Sequence, residues 1–368
     1  MSKWNSLSLR LALASVVLAA GTANAAGVTA GDTVENLATV SYAVNGVGQT
    51  AIESSPTGNS TPGAGNGSVT DFTVDRVIDL TLTQDGTANT LVTPGATGQV
   101  TTFVLTNTSN AAQGYTFVAA DLPTGTTENA GPADSIDLTT FSVFVDDGSG
   151  VFEPATDTAT AVGTLAEDAS VLIFVVADIP LAAVDGDVAN VELTATTVEP
   201  GTTTVVTASA SNAEDGPADT LIRNLTAAAR DGYEVEAAAL EITKTQATIS
   251  DGISAAAPFF NIPGAVIRYT VTINNTGSQD ATAVAVADRI EAELDISGST
   301  TVSIDNNGVA SSCTVDDGDA DADGCGRVDN GTGTPADPSD DTSDLTIDPG
   351  ITVTAGTTAT VSFDVTIR

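Results

Sequence analysis

Three acidic residues alternate with alanine and are followed by glycine late in the chain: Asp319, Asp321, Asp323 and Gly324. Alternate carboxylates with glycine at the sixth position match the first half of a calcium-binding loop, because Ca²⁺ prefers oxygen ligands and glycine permits the sharp turn. The twelfth position is Asn330, where an EF-hand loop has a bidentate glutamate. The run therefore predicts a looser calcium-stabilised loop, with an acidic surface loop without metal as the alternative.

Two cysteines, Cys313 and Cys325, flank this acidic run and are the only cysteines of the chain. In an exported protein, an isolated pair twelve positions apart predicts one disulfide that closes a short loop. Closing such a loop contributes on the order of 3 kcal/mol to stability. Two free thiols are the alternative.

Lys244 is the only lysine outside the first 25 residues. On the first strand of a sandwich domain, its amine could form an intramolecular isopeptide bond with Asn275, or with another partner beside an acid such as Asp288. Surface sandwich proteins of other families contain such bonds. A solvated lysine is the alternative, because no spacing rule selects these partners.

The residue types that enzymes most often use for acid–base and nucleophilic chemistry are scarce. The chain has no histidine, which excludes Ser-His-Asp and Cys-His arrangements and removes the commonest zinc ligand. Paired carboxylates remain, but the aromatic residues that form sugar platforms in glycosidases make up only 4% of the chain. We therefore expect a protein that is not an enzyme.

The chain is strongly acidic, with 48 acidic and 10 basic residues and a formal net charge of −38 at pH 7. A surface of this charge repels nucleic acid and anionic lipid and attracts divalent cations. We expect no nucleic-acid partner, and calcium is the one cofactor that the sequence suggests. An acidic coat that serves only solubility is the alternative.

Residues 1–25 have the pattern of an export signal. Lys3 and Arg10 give a positive start, residues 11–20 form a short apolar run, and residues 23–25 fit a small-residue cleavage site. The apolar run is short for a membrane span, and no other stretch approaches that length. We expect an exported protein with no membrane span in the mature chain, located extracellularly, on the cell surface or in the periplasm.

The candidate residues belong to a strand pattern that occurs twice. Each copy has a Pro-Gly-Ala turn, a run of alternating apolar residues, an Asn turn and an Asp. The residues are Pro94, Phe103, Leu105, Asn107 and Asp121 in the first copy and Pro263, Val271, Ile273, Asn275 and Asp288 in the second. Period-two alternation between turn residues predicts strands whose apolar side chains face a core.

The duplication extends from first to last strand and predicts an all-β fold of tandem Ig-like β-sandwich domains with almost no helix beyond the signal. We place the first sandwich at residues 77–235, with extra strands at 186–210, and the second at 236–368. Residues 26–76 are expected to form an N-terminal strand pair with a flexible Gly/Ser/Asn loop. A short helical turn is expected within residues 219–232.

Four stretches of the second copy, LEITKT, IPGA, YTVTINNTG and ATAVAVAD, resemble a known family. They are similar to the conserved repeat called domain of unknown function 11. The similarity covers about residues 239–368 and is weaker over 77–210. Members of the family are Ig-like β-sandwich modules of prokaryotic exported and cell-surface proteins, often in tandem and without known catalytic residues. The resemblance implies a surface or extracellular location and supplies no biochemical function.

Modules of this family often continue into a segment of the type Gly-x-x-x-x-Asn-x-Ala-x-Val. Here that segment precedes the first module, at residues 31–40, and a related stretch follows the first module at residues 186–195. We expect residues 32–42 either to complete the second module of the next subunit by strand donation, giving a head-to-tail filament, or to fold back on their own chain. Folding back has the higher effective concentration.

These features favour a non-enzymatic exported structural or cell-surface protein whose partner is itself, as a homo-oligomer or filament, or another surface component. The alternative is a calcium-assisted adhesin that binds a glycan or a protein through its loops.

Overall fold

The computed structural model describes residues 27–127, 132–210, 218–296, 300–317, 321–329 and 342–368. Within these residues it contains no helix, and its strands form a small N-terminal arm and two β-sandwiches. The predicted all-β fold of tandem Ig-like sandwiches is therefore confirmed. The predicted export signal and Asp319 lie outside the described residues.

The arm consists of three nested antiparallel strand pairs. Its strands are β1 (Thr33–Asn36), β2 (Thr39–Val40), β3 (Ala43–Val44), β4 (Val47–Gly48), β5 (Ile52–Glu53) and β6 (Thr70–Thr73). β1 pairs with β6, β2 with β5, and β3 with β4, where one strand pair was expected. The arm contributes to neither hydrophobic core, and its apolar side chains are exposed, Val40 to 61% and Phe72 to 53%.

The first sandwich packs a four-stranded sheet against a five-stranded sheet. Its strands are β7 (Arg76–Ile78), β8 (Leu80–Gln84), β9 (Thr90–Val92), β10 (Gln99–Asn107), β11 (Gln113–Asp121), β12 (Phe141–Val145), β13 (Ala161–Leu165), β14 (Ser170–Ala177), β15 (Val188–Val198), β16 (Thr220–Ile222) and β17 (Thr226–Val235). The sheet orders are β12-β14-β10-β8 and β13-β11-β15-β17-β9. Phe103, Leu105 and Ile173 are fully buried between the sheets, as the period-two pattern predicts.

The second sandwich is formed by one continuous path of strands. These are β18 (Leu240–Ser250), β19 (Val266–Asn275), β20 (Ala281–Ile290), β21 (Leu294–Asp295), β22 (Thr300–Asn306), β23 (Val309–Asp317), β24 (Cys325–Asp329), β25 (Ser343–Val353) and β26 (Thr358–Ile367). The order is β18-β19-β26-β22-β23-β24-β25-β20, with β21 beside β26. Val271, Ile273 and Phe363 lie in its core. β18 and β20 are the two ends of this path.

The helical turn expected within residues 219–232 is wrong, because this stretch contains β16 and most of β17. Ala227, Ala228 and Ala229 favour a helix by intrinsic propensity. They lie instead in antiparallel register with β15, and Ala227 and Ala229 pack against the core of the first sandwich. Tertiary pairing therefore overrides local propensity in this segment.

A short linker joins the two sandwiches, and Asp185 fastens it. The Asp185 carboxylate accepts hydrogen bonds from the Ala237 amide at 2.8 Å, from the Ser278 amide at 3.1 Å and from the Ser278 hydroxyl. At Gly277 the chain passes so close to the linker that a Cβ atom would lie 2.2 Å from the Ala237 carbonyl oxygen. The linker is therefore packed between the sandwiches.

Candidate functional site: an open seam in the second sandwich

A groove of about 610 Å³ lies between the two end strands of the second sandwich. Its lining residues are Leu240, Ile242 and Lys244 of β18, Val271 and Ile273 of β19, and residues 281–288 of β20. We call this groove the seam. Among the described residues, neither β18 nor β20 has a strand partner on its outer edge, so the seam is bordered by two strand edges that can accept a further strand.

The apolar side chains that β18 presents to the seam are exposed, Leu240 to 42% and Ile242 to 63%. In the first sandwich the equivalent side chains are Leu80 and Leu82, which are exposed to only 2% and 7%. The equivalence follows from the register, since Leu82 lies opposite Leu105 and Ile242 opposite Ile273. The second sandwich thus lacks a cover that the first sandwich has.

In the first sandwich that cover is the strand pair β15 and β17. β15 pairs with β11, the strand equivalent to β20, over the whole of residues 114–121. Its inward side chains Val191 and Leu193 are fully buried. β17 continues the sheet beside β15, and its Tyr233 is also fully buried. The seam of the second sandwich lies where this pair lies in the first.

An ion pair bridges the seam from β18 to β20. The Lys244 ammonium group contacts the Asp288 carboxylate and lies 4.4 Å from the centroid of the Tyr269 ring. The structure thus brings together two of the three residues proposed for an isopeptide bond. In the first sandwich Gln84 occupies the position of Lys244, because it lies opposite Phe103 as Lys244 lies opposite Val271.

The third of those residues, Asn275, has a different role. Its Nδ2 donates to the carbonyls of Gln279 at 2.8 Å and Val353 at 2.9 Å. Its Oδ1 accepts from the Ala239 and Gly277 amides, both at 3.1 Å. These four bonds use the whole capacity of the amide, so Asn275 ties the β19–β20 turn to the linker and to β25.

The acidic loop around the disulfide is held by its own carboxylates. Cys313 and Cys325 are joined by a disulfide with their Cα atoms 5.8 Å apart. The Asp323 carboxylate accepts hydrogen bonds from the amides of Thr314 at 2.6 Å and Cys325 at 3.1 Å. Asp321 Oδ1 accepts from the Asp323 amide at 3.3 Å. The described carboxylates of the predicted calcium loop therefore bind the backbone on both sides of the disulfide.

The group best placed to hold a cation is one that the motif search missed. Asp121, Asp134 and Asp137 each offer a carboxylate oxygen, and these oxygens lie within 4.8 Å of one another. Asp134 is 2% exposed; its Oδ1 accepts from the Asn190 amide at 2.7 Å, whereas its Oδ2 is buried without a partner.

Electrostatics at this cluster favour a bound cation or proton. Burial raises the pKa of Asp121 to about 6, the hydrogen bond from Leu138 opposes this shift, and the charges of Asp134 and Asp137 add to it. Among the described residues, no lysine or arginine forms an ion pair with these three carboxylates. A signal was present in the sequence, since Asp121 aligns with Asp288 while glutamine replaces the lysine.

No family model and no curated protein matches the chain, so the resemblance to domain of unknown function 11 stays a prediction. Solved structures with a similar arrangement include one described as BspA_C_WT, with a TM-score of 0.32 and 11% identity over 78% of this chain and 91% of that one. The CupB6 tip adhesin from Pseudomonas aeruginosa has a TM-score of 0.26 and 12% identity over 79% and 88%. The collagen adhesin from S. aureus has a TM-score of 0.18 and 12% identity over 80% and 84%.

A search of the described residues for a helix with the length and apolar character of a membrane span finds none.

Proposed function

We propose that the chain is a non-enzymatic structural protein of the cell surface whose subunits join head to tail by strand donation. Residues 32–42 of one copy lie along β20 and complete the second sandwich of the next copy. The observation that carries this proposal is the exposure of Leu240 and Ile242 at positions that are buried in the first sandwich. An added strand supplies backbone hydrogen bonds to the open edge and covers these side chains.

The donated segment has the side-chain pattern of a half-buried strand. Val34, Ala38, Val40 and Tyr42 alternate on one face, with Thr and Ser prominent on the other. In the isolated chain Val40 is 61% and Tyr42 43% exposed. The donor and the seam therefore each present apolar surface that a monomer leaves in water, and their association removes both surfaces from solvent.

Three features support an exported structural role. The first 25 residues have the pattern of an export signal. The disulfide between Cys313 and Cys325 suits an oxidising compartment. The seam itself is lined by apolar side chains and one ion pair, without an activated nucleophile or a histidine base, which fits a surface that binds a strand better than one that performs a reaction.

Deletion of residues 27–50 from the mature protein tests the proposal. We expect the intact protein to form concentration-dependent oligomers in analytical ultracentrifugation and the deletion variant to sediment as a monomer. A finer pair of variants is Val40→Asp, which places a charge on the inward face and should abolish oligomers, and Thr39→Asp, which places it on the outward face and should retain them. Oligomers that survive the deletion, or an intact protein that stays monomeric at high concentration, would refute strand donation.

A second candidate function is a calcium-assisted adhesin that binds a glycan or a protein through its loops. The unpartnered, buried Asp134 Oδ2 supports it, because a carboxylate oxygen buried among other carboxylates is stabilised by a cation. With Ca²⁺ at 100 times its Kd, we expect the melting temperature of the intact protein to rise by roughly 5–10 °C.

In this candidate, Asp121→Asn should remove the calcium-induced rise in melting temperature. Asp321→Asn is the control for the loop that the sequence motif singled out, and should retain the rise. An unchanged melting temperature at millimolar calcium contradicts a calcium site. Binding on a glycan array that Asp121→Asn abolishes would favour the adhesin over the structural role.

A further inference from the structure

The arm and the second strand pair of the first sandwich share one register. β1 and β6 are antiparallel with Val34 opposite Phe72, and β15 and β17 are antiparallel with Ala189 opposite Tyr233. Val34 and Ala189 each lie three residues after the glycine of a Gly-Asp sequence, at Gly31 and Gly186. The two pairs thus have the same direction and the same partner positions, counted from the same sequence landmark.

The two pairs also have the same place relative to the sandwich that follows them. Phe72 lies eight residues before Leu80, the first residue of β8, and Tyr233 lies seven residues before Leu240, the first residue of β18. An aromatic residue therefore precedes the first strand of each sandwich at nearly the same distance. The arm is a second version of the pair β15 and β17.

The environments of the two aromatic residues differ completely. Tyr233 is fully buried in the first sandwich and its hydroxyl donates to the Val175 carbonyl at 2.9 Å. Phe72 is 53% exposed. The pair β15 and β17 covers the sandwich that precedes it in the chain, whereas the arm covers no core. The second sandwich has the matching vacancy, the seam.

From this match we infer that the arm docks as a two-stranded unit on the second sandwich of another copy of this chain, with β1 in the place of β15 and β6 in the place of β17. The inference rests on the proposed strand donation and names its contact surface. Phe72 then takes the buried position of Tyr233. β1 pairs with β6 on one edge and with β20 on the other, as β15 pairs with β17 and β11.

A second copy fits as the source of the arm because the arm of the same chain is fixed to the first sandwich at its base. β7 pairs in parallel with β16, and the Arg76 guanidinium donates to Glu199 at 2.9 Å and to Gln113 at 2.5 Å. The Ala30 amide, at the other side of the base, donates to the Asn110 carbonyl at 2.9 Å. These contacts hold the arm beside β10 and β11 of its own chain.

The inferred register predicts one specific contact between copies. In the first sandwich the Gln84 amide donates to the Asp231 carboxylate at 2.8 Å. Thr70 occupies the position of Asp231, since it lies two residues before Phe72 as Asp231 lies two residues before Tyr233, and Lys244 occupies the position of Gln84. The Thr70 side chain of one copy therefore faces Lys244 of the next.

Disulfide cross-linking between two single-cysteine variants tests this contact. A mixture of the Thr70→Cys and Lys244→Cys proteins, mildly oxidised at the concentration at which the intact protein oligomerises, should give a covalent dimer that contains one chain of each kind. The control is Asp71→Cys mixed with Lys244→Cys, because residue 71 lies on the opposite face of β6. This control mixture should not give the mixed dimer.

Because each chain carries only one added cysteine, the mixed dimer reports contact between copies and not within one chain. Equal cross-linking at residues 70 and 71, or none at residue 70 while oligomers persist, would overturn the two-stranded docking and leave strand donation standing. Absence of oligomers in the intact protein would instead refute the proposed function, so the two failures can be told apart.

Phe72 gives a second, non-covalent measurement. Replacing a side chain that becomes buried in the complex with serine should raise the dissociation constant by about tenfold or more. Val47→Ser is the matched control, because Val47 is 65% exposed at the tip of the arm and lies outside the register shared with β15 and β17. Equal effects of Phe72→Ser and Val47→Ser on the dissociation constant would contradict the docking of β6.

Discussion

At the scale of single residues, the two sandwiches balance one conserved carboxylate in different ways. Asp288 contacts Lys244 across the seam, so its charge is neutralised within the chain. Asp121 has glutamine at the position of that lysine, and it lies instead with two further carboxylates. A lysine-to-glutamine difference between the copies therefore leaves one carboxylate in an ion pair and the other in a cluster with a net negative charge.

Asn275 offers a residue-scale test of stability. Removing its amide in Asn275→Ala leaves four buried or part-buried backbone groups without a partner. We expect a loss of roughly 2–4 kcal/mol in the free energy of unfolding, measured by urea denaturation. The adjacent variant Asn274→Ala is the control, because the Asn274 carboxamide oxygen accepts one exposed hydrogen bond, from Thr358. Similar losses for both variants would contradict the structural role of Asn275.

Residue types and spacing could identify the meeting of Lys244 and Asp288, because a single lysine in an acidic chain has few places on aligned strands. They could not identify the role of Asn275, since an Asn-Thr-Gly sequence is typical of any turn. Nor could they identify Asp134, whose carboxylate meets Asp121 only through the path of a loop between β11 and β12.

At the scale of strands, the core was predictable and the connections were not. Phe103, Leu105, Val271 and Ile273 are buried because period-two alternation places them on one face of a strand. The parallel pairing of β23 with β24 at residues 316–317 had no local signal, because it joins strands whose patterns fit many partners. The erroneous helical turn near residue 225 has the same origin, since alanines carry little strand preference of their own.

The arm shows what a repeated motif can and cannot reveal. The Gly-Asp landmark indicated that residues 31–42 resemble the strand after the first module. It did not reveal that β6, which is 30 residues further along the chain, completes the resemblance, because a strand pair is defined by its register and not by either sequence alone.

At the scale of the whole molecule, the junction at Asp185 sets how the sandwiches move relative to each other. Burial raises the pKa of Asp185, but hydrogen bonds from Ser278 and Ala237 outweigh this effect and lower it, so the carboxylate is charged at neutral pH. Asp185→Ala removes the bonds to both the linker and the second sandwich. We expect a larger maximum dimension and a broader distance distribution in small-angle X-ray scattering.

The control for this prediction is Asp280→Ala, which lies in the same β19–β20 loop. The Asp280 carboxylate accepts a hydrogen bond at 2.9 Å from the Ala355 amide, so this bond stays within the second sandwich. The scattering profile of Asp280→Ala should match that of the intact protein. A profile of Asp185→Ala that is also unchanged would show that packing at Gly277, and not the carboxylate, fixes the junction.

The disulfide between Cys313 and Cys325 has a mechanical consequence. It spans the passage from β23 to β24, where the strand path of the second sandwich changes from antiparallel to parallel pairing. If the chain is pulled from both sides, the residues enclosed by the disulfide cannot be drawn out, which withholds about 40 Å of extended chain over its twelve-residue separation. The bond thus limits how far one loaded subunit can lengthen before the tension passes to its neighbour.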